Sequence, residues 1–374
     1  VGNKQVVIMC VATLALTGLV MVYSNTAVSD GVDPAGNPSV VRQAAWLVLS
    51  AAAIALFACV DYHVLGRHSR VIMALTVVAL VALLALARPV NGARRWFHLG
   101  PMNLQISEFA KIAVILYIAG FVSRKRAVLG EFRSGFVPVV LIIGLTFGLI
   151  VLQPDFGTSV LIGSVAMTML LVSGARWRHA GPLFAVASLG LFLLVRMKPY
   201  RWERVIAFIN PWADPQGVGY HSVQSLIALG CGGLTGVGPG RGLQQLWFLP
   251  EAKTDFIFAI FGQETGFLGC VLLLGVFVAL FYAGMRISRS APDSLGALIA
   301  FGVTVLIGFQ MLINVAVAAS AIPTKGISLP FISFGGSSLV ALSVGIGILL
   351  NVARHSPNRA RVQVRGAKRK GSAE

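Results

Sequence analysis

Ten stretches of this 374-residue chain are apolar over most of a membrane's thickness, and that pattern leaves few folds open. They run near 5–23, 41–60, 70–87, 106–122, 136–152, 157–173, 180–196, 255–285, 295–320 and 335–353. A helix needs about 20 apolar residues to cross the roughly 30 Å hydrocarbon layer. Only helices and closed barrels satisfy every backbone polar group there. Charged residues make up 11% of the chain, against about 25% in a typical soluble domain. Mean hydropathy is +0.83. No water-soluble core absorbs that much apolar surface, so an all-α integral membrane protein with ten transmembrane helices is expected. The first run is longer than a signal-peptide core and shows no clear cleavage site, so it reads as a retained span.

Basic residues orient the spans. With ten crossings both termini share one side. That side carries Lys4, Arg67, Arg70, Arg124–Arg126, Arg133, Arg176, Arg178, Arg286, Arg289 and the tail basics, eighteen of the thirty Lys and Arg. The richer side is expected to be cytoplasmic, which makes this a multi-pass membrane protein with both termini inside. The net charge of +17 then needs no nucleic acid, because anionic membrane lipids meet it. Residues 1–353 read as one polytopic membrane domain, and 354–374 as a basic cytoplasmic tail expected to be disordered.

Asp30, Asp33, Asp155, Glu203, Asp214, Glu251 and Asp255 all fall on the outer side. So does a long loop, 197–254, between helices 7 and 8. It contains the amphipathic YRWERVIAFINPW, and one or two short helices are expected on or dipping into the outer interface. No internal repeat is visible, which argues against a transporter built on inverted repeats.

Four scattered cysteines form no CxxC pair, and six histidines show no metal spacing, so no protein metal site is expected. GxSxG and HExxH are absent. Carboxylates are left as the catalytic candidates. Asp255 heads the Phe-rich run FIFAIFGQETGFLG, and Glu264 lies inside it. Acidic groups in a span are costly and are functional candidates by default. The run is expected to outlast the bilayer: roughly 30 residues at about 1.5 Å each give about 45 Å, leaving Asp255 near the outer head groups. Phe256 and Phe258 would keep it in apolar surroundings, which strengthens a carboxylate as a base. The plainer reading of Asp255 is a helix cap. Glu264 lies over 13 Å deeper and about half a turn around, a poor substitute.

Glu108 and Lys111, three residues apart, share one helix face and read equally as a structural pair or as binding groups. Asp155 in Gln153-Pro154-Asp155-Phe156-Gly157 satisfies turn amides or supplies charge. GVGPGRG, 236–242, fails the phosphate-loop spacings and reads as flexible outer backbone. Arg94 and Arg95 carry positive charge on the outer side and suit a phosphate-bearing head group; Trp96 is an ordinary interfacial anchor.

The blocks NGARRWFHLGPMNLQISEFAK (91–111), QPDFGTS (153–159), YRWERVIAFINPWADPQGVGYHSVQSLIALGCGGLTGVG (200–238), LPEAKTDFIFAIFGQETGFLG (249–269) and IPTKGISLPFISFGGSS (322–338) resemble the SEDS family (shape, elongation, division and sporulation) over nearly the whole chain. PWADPQG and PTKGISLPFISFGG look more like its FtsW/SpoVE branch than its RodA branch. Phe334 stands where Tyr is frequent, and Gln263 where an acidic or small residue is common. The resemblance implies a ten-span peptidoglycan glycosyltransferase that polymerises lipid II, with Asp255 as the essential acidic residue. It implies that Glu108 and Lys111 match a polar pair of the fourth span, that Asp155 matches the acidic residue of a QPD turn, and that Lys325 and Ser333 line the outer cavity. A class B penicillin-binding protein (transpeptidase) is the implied partner, together with divisome membrane proteins.

Joining a GlcNAc 4-hydroxyl to a MurNAc diphosphate-lipid with one inversion requires a general base and charge stabilisation on the leaving diphosphate. Asp255 suits the first task. Lys111, Arg95 or a divalent cation (Mg²⁺ or Mn²⁺) suits the second. A lipid II flippase or transporter, or a non-catalytic scaffold for the penicillin-binding protein, are the competing readings.

Overall fold

The computed structural model describes residues 2–30, 38–89, 93–99, 102–125, 131–197, 199–242, 254–324 and 326–356. Ten long apolar helices fall where the apolar runs do. They are α1 (Asn3–Asp30), α2 (Pro38–Cys59), α4 (Ser69–Leu86), α5 (Ile106–Lys125), α6 (Val137–Leu152), α7 (Phe156–Val172), α8 (Trp177–Arg196), α11 (Ile257–Ser290), α12 (Ser294–Ala318) and α13 (Gly336–His355). Nine are long and apolar enough to cross a membrane. The tenth, α7, has 17 residues and spans about 25 Å, close to the hydrocarbon thickness.

α5, α12 and α13 form the enclosed centre, while α8 faces almost wholly outward. Lipid tails give apolar helices no reason to associate, so close backbone approach and polar contacts hold such a bundle together. At Gly302 of α12 a Cβ would stand 2.7 Å from both Ile115 of α5 and Met169 of α7. Only hydrogen lets these three helices meet there.

The end of the bundle that holds the start of α1 and the end of α13 is closed by a polar latch. Asp61 caps the six-residue α3 (Tyr62–Arg67), accepting from the His63 amide at 2.9 Å. The His63 ring stands 2.7 Å from Asp61 and 3.1 Å from Asp293. The Tyr62 hydroxyl donates to Asp293 at 3.0 Å, and its amide donates to Asn351 Oδ1 at 3.1 Å. The start of α3, the N-terminus of α12 and the last turns of α13 are thereby tied together.

The opposite end carries the loops. Phe97–Leu99 (β1) and Met102–Leu104 (β2) pair antiparallel with His98 opposite Asn103, a hairpin the apolar pattern does not signal. The 197–254 segment contributes α9 (Pro199–Ile209), a 3₁₀ turn at Pro211–Ala213 and α10 (Tyr220–Gly232), matching the expected short helices. α10 dips into the bundle: Ser225 is fully buried and donates to Ala318 O at 2.7 Å. Residues 243–253, 325 and 357–374 lie outside the described residues, and with them Lys325 and most of the basic tail.

Two expectations need correction. The run from 255 is not one straight helix overshooting the bilayer. α11 breaks at Gly266, whose φ 69° and ψ −170° are not helical. Nor is 236–242 loose backbone. The chain after α10 threads the break and supplies the hydrogen bonds that the helix gives up there. Phe267 and Leu268 donate to Gly233 O and Leu234 O at 2.9 and 3.1 Å, and Val237 and Gly238 donate to Gln263 O and Glu264 O at 3.0 and 3.1 Å. The Glu264 carboxylate, buried at 3% exposure, accepts from Gly240 N at 3.1 Å and from Ser24 of α1 at 2.5 Å. A buried carboxylate is tolerable when such donors replace water.

Candidate active site

Asp255 lies in the turn that leads into α11. Phe256 occupies the N-cap position of α11 with no side-chain capping bond, and Asp255 stands one residue ahead of it. Asp255 is half-buried, and Phe256 and Phe258 beside it are buried. The Phe256 ring stacks on His221 of α10 with centroids 5.9 Å apart. The Asp255 carboxylate rests against Gly326, where a Cβ would come within 3.1 Å of Oδ2.

The 326–333 segment is the hub of the site. On one side it meets Asp255. On the other it meets the first turn of α7, where a Cβ on Gly157 would lie 3.0 Å from Ile327. Asn314 of α12 donates to Asp255 O at 2.9 Å and to Ile327 O at 2.8 Å. The Ser333 hydroxyl donates to Thr254 O at 2.6 Å and accepts from Leu329 N at 2.7 Å. Ser333 thus joins the hub to the strand of chain that carries Asp255.

Glu108 and Lys111 form the expected pair, 2.6 Å apart and buried on α5. Their surroundings extend the pair into a network. Lys111 Nζ reaches Gln310 Oε1 at 3.4 Å, Gln310 donates to Ser328 O at 3.0 Å, and the Ser328 and Ser338 hydroxyls are 3.0 Å apart. Gln310 and Asn314 stand one turn apart on α12. Such neighbours lie about 5–6 Å apart at Cβ, so a single turn links the ion pair to Asp255.

Asp155 caps α7, accepting from Thr158 N at 3.2 Å. Its other oxygen accepts from Gln105 at 3.1 Å and Ser107 at 3.3 Å, holding the start of α5. Arg95 bonds the same turn, donating to Gln153 O at 3.1 Å and to Pro154 O. Two of its five N–H donors therefore brace the turn. Arg94 turns away and donates to Leu84 O at 2.6 Å. The structure thus gathers Asp255, Ser333, Glu108 and Lys111 around the 326–333 hub, with Asp155 and Arg95 on the turn behind it.

Sequence reasoning missed Asn314, Gln310, Gln105 and Ser107. Gln310 and Asn314 did carry a signal: two amides spaced by one turn in the otherwise apolar run 295–320. Among the described residues no group of three or more His, Cys, Asp or Glu side chains is arranged to hold a metal ion. A Mg²⁺ ion needs only one or two carboxylates beside substrate phosphates and water, and Asp255 is the residue in this donor set that fits such sharing.

Residues 4–358 match the family model described as "Cell cycle protein", that of FtsW, RodA and SpoVE. The chain is 39% identical to stage V sporulation protein E of Bacillus subtilis (strain 168), over 95% of this chain and 98% of that one. It is 40% identical to the probable peptidoglycan glycosyltransferase FtsW of Marinobacter nauticus, over 98% and 94%. Its fold is similar to a chain of a peptidoglycan synthase complex described for the structural coordination of polymerization and crosslinking. There the TM-score is 0.77 at 30% identity, over 93% of this chain and 96% of that one. The Thermus thermophilus rod shape determining protein RodA superposes with a TM-score of 0.70 at 26% identity, over 94% and 96%. By sequence and by fold the chain belongs to the FtsW/RodA/SpoVE cell cycle proteins, the SEDS family.

Proposed function

We propose that this protein is an inverting peptidoglycan glycosyltransferase that polymerises lipid II at the outer leaflet during cell division. The observation that carries the reading is the place of Asp255. It is a half-buried carboxylate at the head of a membrane helix, at the end away from both termini, flanked by buried aromatic rings. A lipid-linked sugar presents its hydroxyls at about that level.

Asp255 takes the proton from the acceptor's GlcNAc 4-hydroxyl while that oxygen attacks the anomeric carbon of the donor. The bond to the diphosphate breaks on the opposite face, so the α-linked donor becomes a β-1,4 linkage. Lys111, with one donor on Glu108 and one toward Gln310, has a third N–H for the departing diphosphate. Arg95 adds positive charge from the Gln153-Pro154 turn, and Lys325 is a further substrate-binding candidate. Asp155 and Ser333 hold the turn and the hub against which the substrate lies. Asp255 is the residue that would hold a divalent cation, which would supply further charge stabilisation for the departing diphosphate.

The partner is a class B penicillin-binding protein that cross-links the new strands, within a set of divisome membrane proteins. The synthase complex that the fold resembles supports this. Both termini and the 354–374 tail are cytoplasmic, with 1–353 as one inner-membrane domain. A cysteine at Gln216, in a chain whose four native cysteines are replaced, should be labelled from outside intact cells; protection there would reverse the orientation.

The deciding experiment incubates purified protein with lipid II in detergent. Wild type makes glycan strands, which a flippase or scaffold does not. A folded Asp255→Asn protein loses about 10²–10⁴-fold in rate, the usual contribution of a positioned base. Polymerisation by that variant near the wild-type rate would remove Asp255 from the chemistry.

A further inference from the structure

The carbonyls of Thr254 and Asp255 lie ahead of α11, whose first acceptor is Phe256 O, bonded by Ala259 and Ile260 N–H at 3.0 and 3.3 Å. Backbone acceptors outside a helix ladder and turned into protein need other donors. Here each finds one from a buried side chain: Thr254 O takes the Ser333 hydroxyl, and Asp255 O takes the Asn314 amide. Both side chains bind the 326–333 backbone with their remaining capacity, Ser333 at Leu329 N and Asn314 at Ile327 O.

We infer that Asn314 is a positioning residue for Asp255: its amide spans the 2.9 Å to Asp255 O and the 2.8 Å to Ile327 O, fixing the base against the Gly326 backbone. Asn314 does not touch the reacting atoms through these bonds. It acts through the peptide that carries the carboxylate.

Two observations say that the amide is there for its donors. Asn314 is 1% exposed on a helix packed among apolar side chains, a place where Leu or Ile would ordinarily sit. Its Oδ1 is buried without a hydrogen-bond partner, so the side chain carries an unmet acceptor in order to place two N–H groups. Such an orphan costs free energy that an apolar residue would spare. The site is also rigid in the right direction. Gln310, one turn away on the same face, holds Ser328 O as Asn314 holds Ile327 O, so two successive carbonyls of the hub are pinned to α12. Small misplacements of a catalytic group cost far more in turnover than in substrate binding: about 1 Å is worth on the order of 10²-fold.

The inference rests on the proposed glycosyltransferase reading with Asp255 as base. The test measures lipid II polymerisation by purified wild type, Asp255→Asn, Asn314→Leu and Asn314→Ser, with rates normalised to folded protein. Asn314→Leu keeps the volume and loses both donors; its kcat should fall about 10–100-fold, with KM for lipid II within about three-fold. Asn314→Ser keeps one donor and should fall between Leu and wild type. The kcat–pH profile of the variants should move relative to wild type, since the base has shifted within its surroundings. A merely structural residue would lower the melting temperature and leave kcat per folded molecule and the pH profile in place; that result overturns the inference. Failure of both Asn314 variants to fold would make it a folding residue and overturn it equally. Inactive wild type, or an active Asp255→Asn protein, would instead strike the parent reading. Loss in Asp255→Asn with wild-type kcat in Asn314→Leu would strike only this one.

Discussion

The hydroxyl of Ser24 lies 2.5 Å from Oε1 of Glu264, joining α1 to α11 two residues before its break. The same oxygen holds Gly240 N. Glu264→Leu strands that part-buried N–H and the buried Ser24 hydroxyl, and an unmet buried donor costs about 1–3 kcal/mol. Glu264→Gln keeps an acceptor oxygen. Thermal unfolding in detergent should therefore rank wild type and Gln close together and Leu well below. Equal stability for all three would mean the carboxylate is not what fastens the loop.

Gly266→Ala should be severely damaging. Its Cβ would stand 2.4 Å from Gly236 N and 2.6 Å from the Leu234 carbonyl group, and the backbone there has φ 69° and ψ −170°, a region essentially restricted to glycine. The threaded segment has to leave the break. The Val237 and Gly238 amides, bonded to Gln263 O and Glu264 O, should exchange hydrogen several-fold faster in the alanine variant. Unchanged exchange would contradict the interlock.

For the ion pair, single neutralisation and double neutralisation should differ in sign from additivity. Lys111→Met leaves Glu108 buried without its cation, a loss of about 3–5 kcal/mol, and Glu108→Gln does the reverse. Replacing both together restores most of the stability, because apolar or neutral isosteres of a buried pair are often tolerated. A double-mutant cycle on unfolding free energies reads the coupling, and additive losses would show that the two charges do not depend on each other.

Most of the fold was legible because a twenty-residue apolar window has one stable answer in lipid. All ten apolar helices could be read that way, and the amphipathic YRWERVIAFINPW announced the short helices that follow α8. The break at Gly266 could not: glycine is common in membrane helices, and the partner that rewards a break here, 233–240, lies about thirty positions upstream. Asp255 stood out as an acidic residue heading an apolar run. Its support did not, since Asn314 and Ser333 are 59 and 79 residues away from the carbonyls they hold. Arg95 was read as an anion-binding group from its charge alone. Its position over the Gln153-Pro154 carbonyls depends on the fold of the 88–105 loop, which no local pattern encodes.

At the far end of the bundle, the His63 amide and then its ring hold the Asp61 carboxyl below its ordinary value of 3.8. A carboxylate depressed on folding stabilises the native state above its unfolded value, and that contribution is lost as pH falls through the folded one. Asp61→Asn should lower the melting temperature at neutral pH, and the gap to wild type should close below pH 3.8. A gap that persists there would assign the effect to something other than the carboxylate's charge.

The discontinuity at Gly266 divides the mechanical duties of α11. Residues 267–290 answer to the bilayer, while Ile257–Thr265, about 14 Å of helix, answers to the segment threaded behind it and bears Asp255 at its tip. This outer piece is a short lever with its pivot inside the membrane. The hydrogen bonds at the break tie 233–240 to this outer piece, so a displacement of that loop should reach the turn bearing the carboxylate against the hold of Asn314 and Ser333. Substitutions scattered along that loop should therefore alter turnover together, as one group, however far each stands from the sugar.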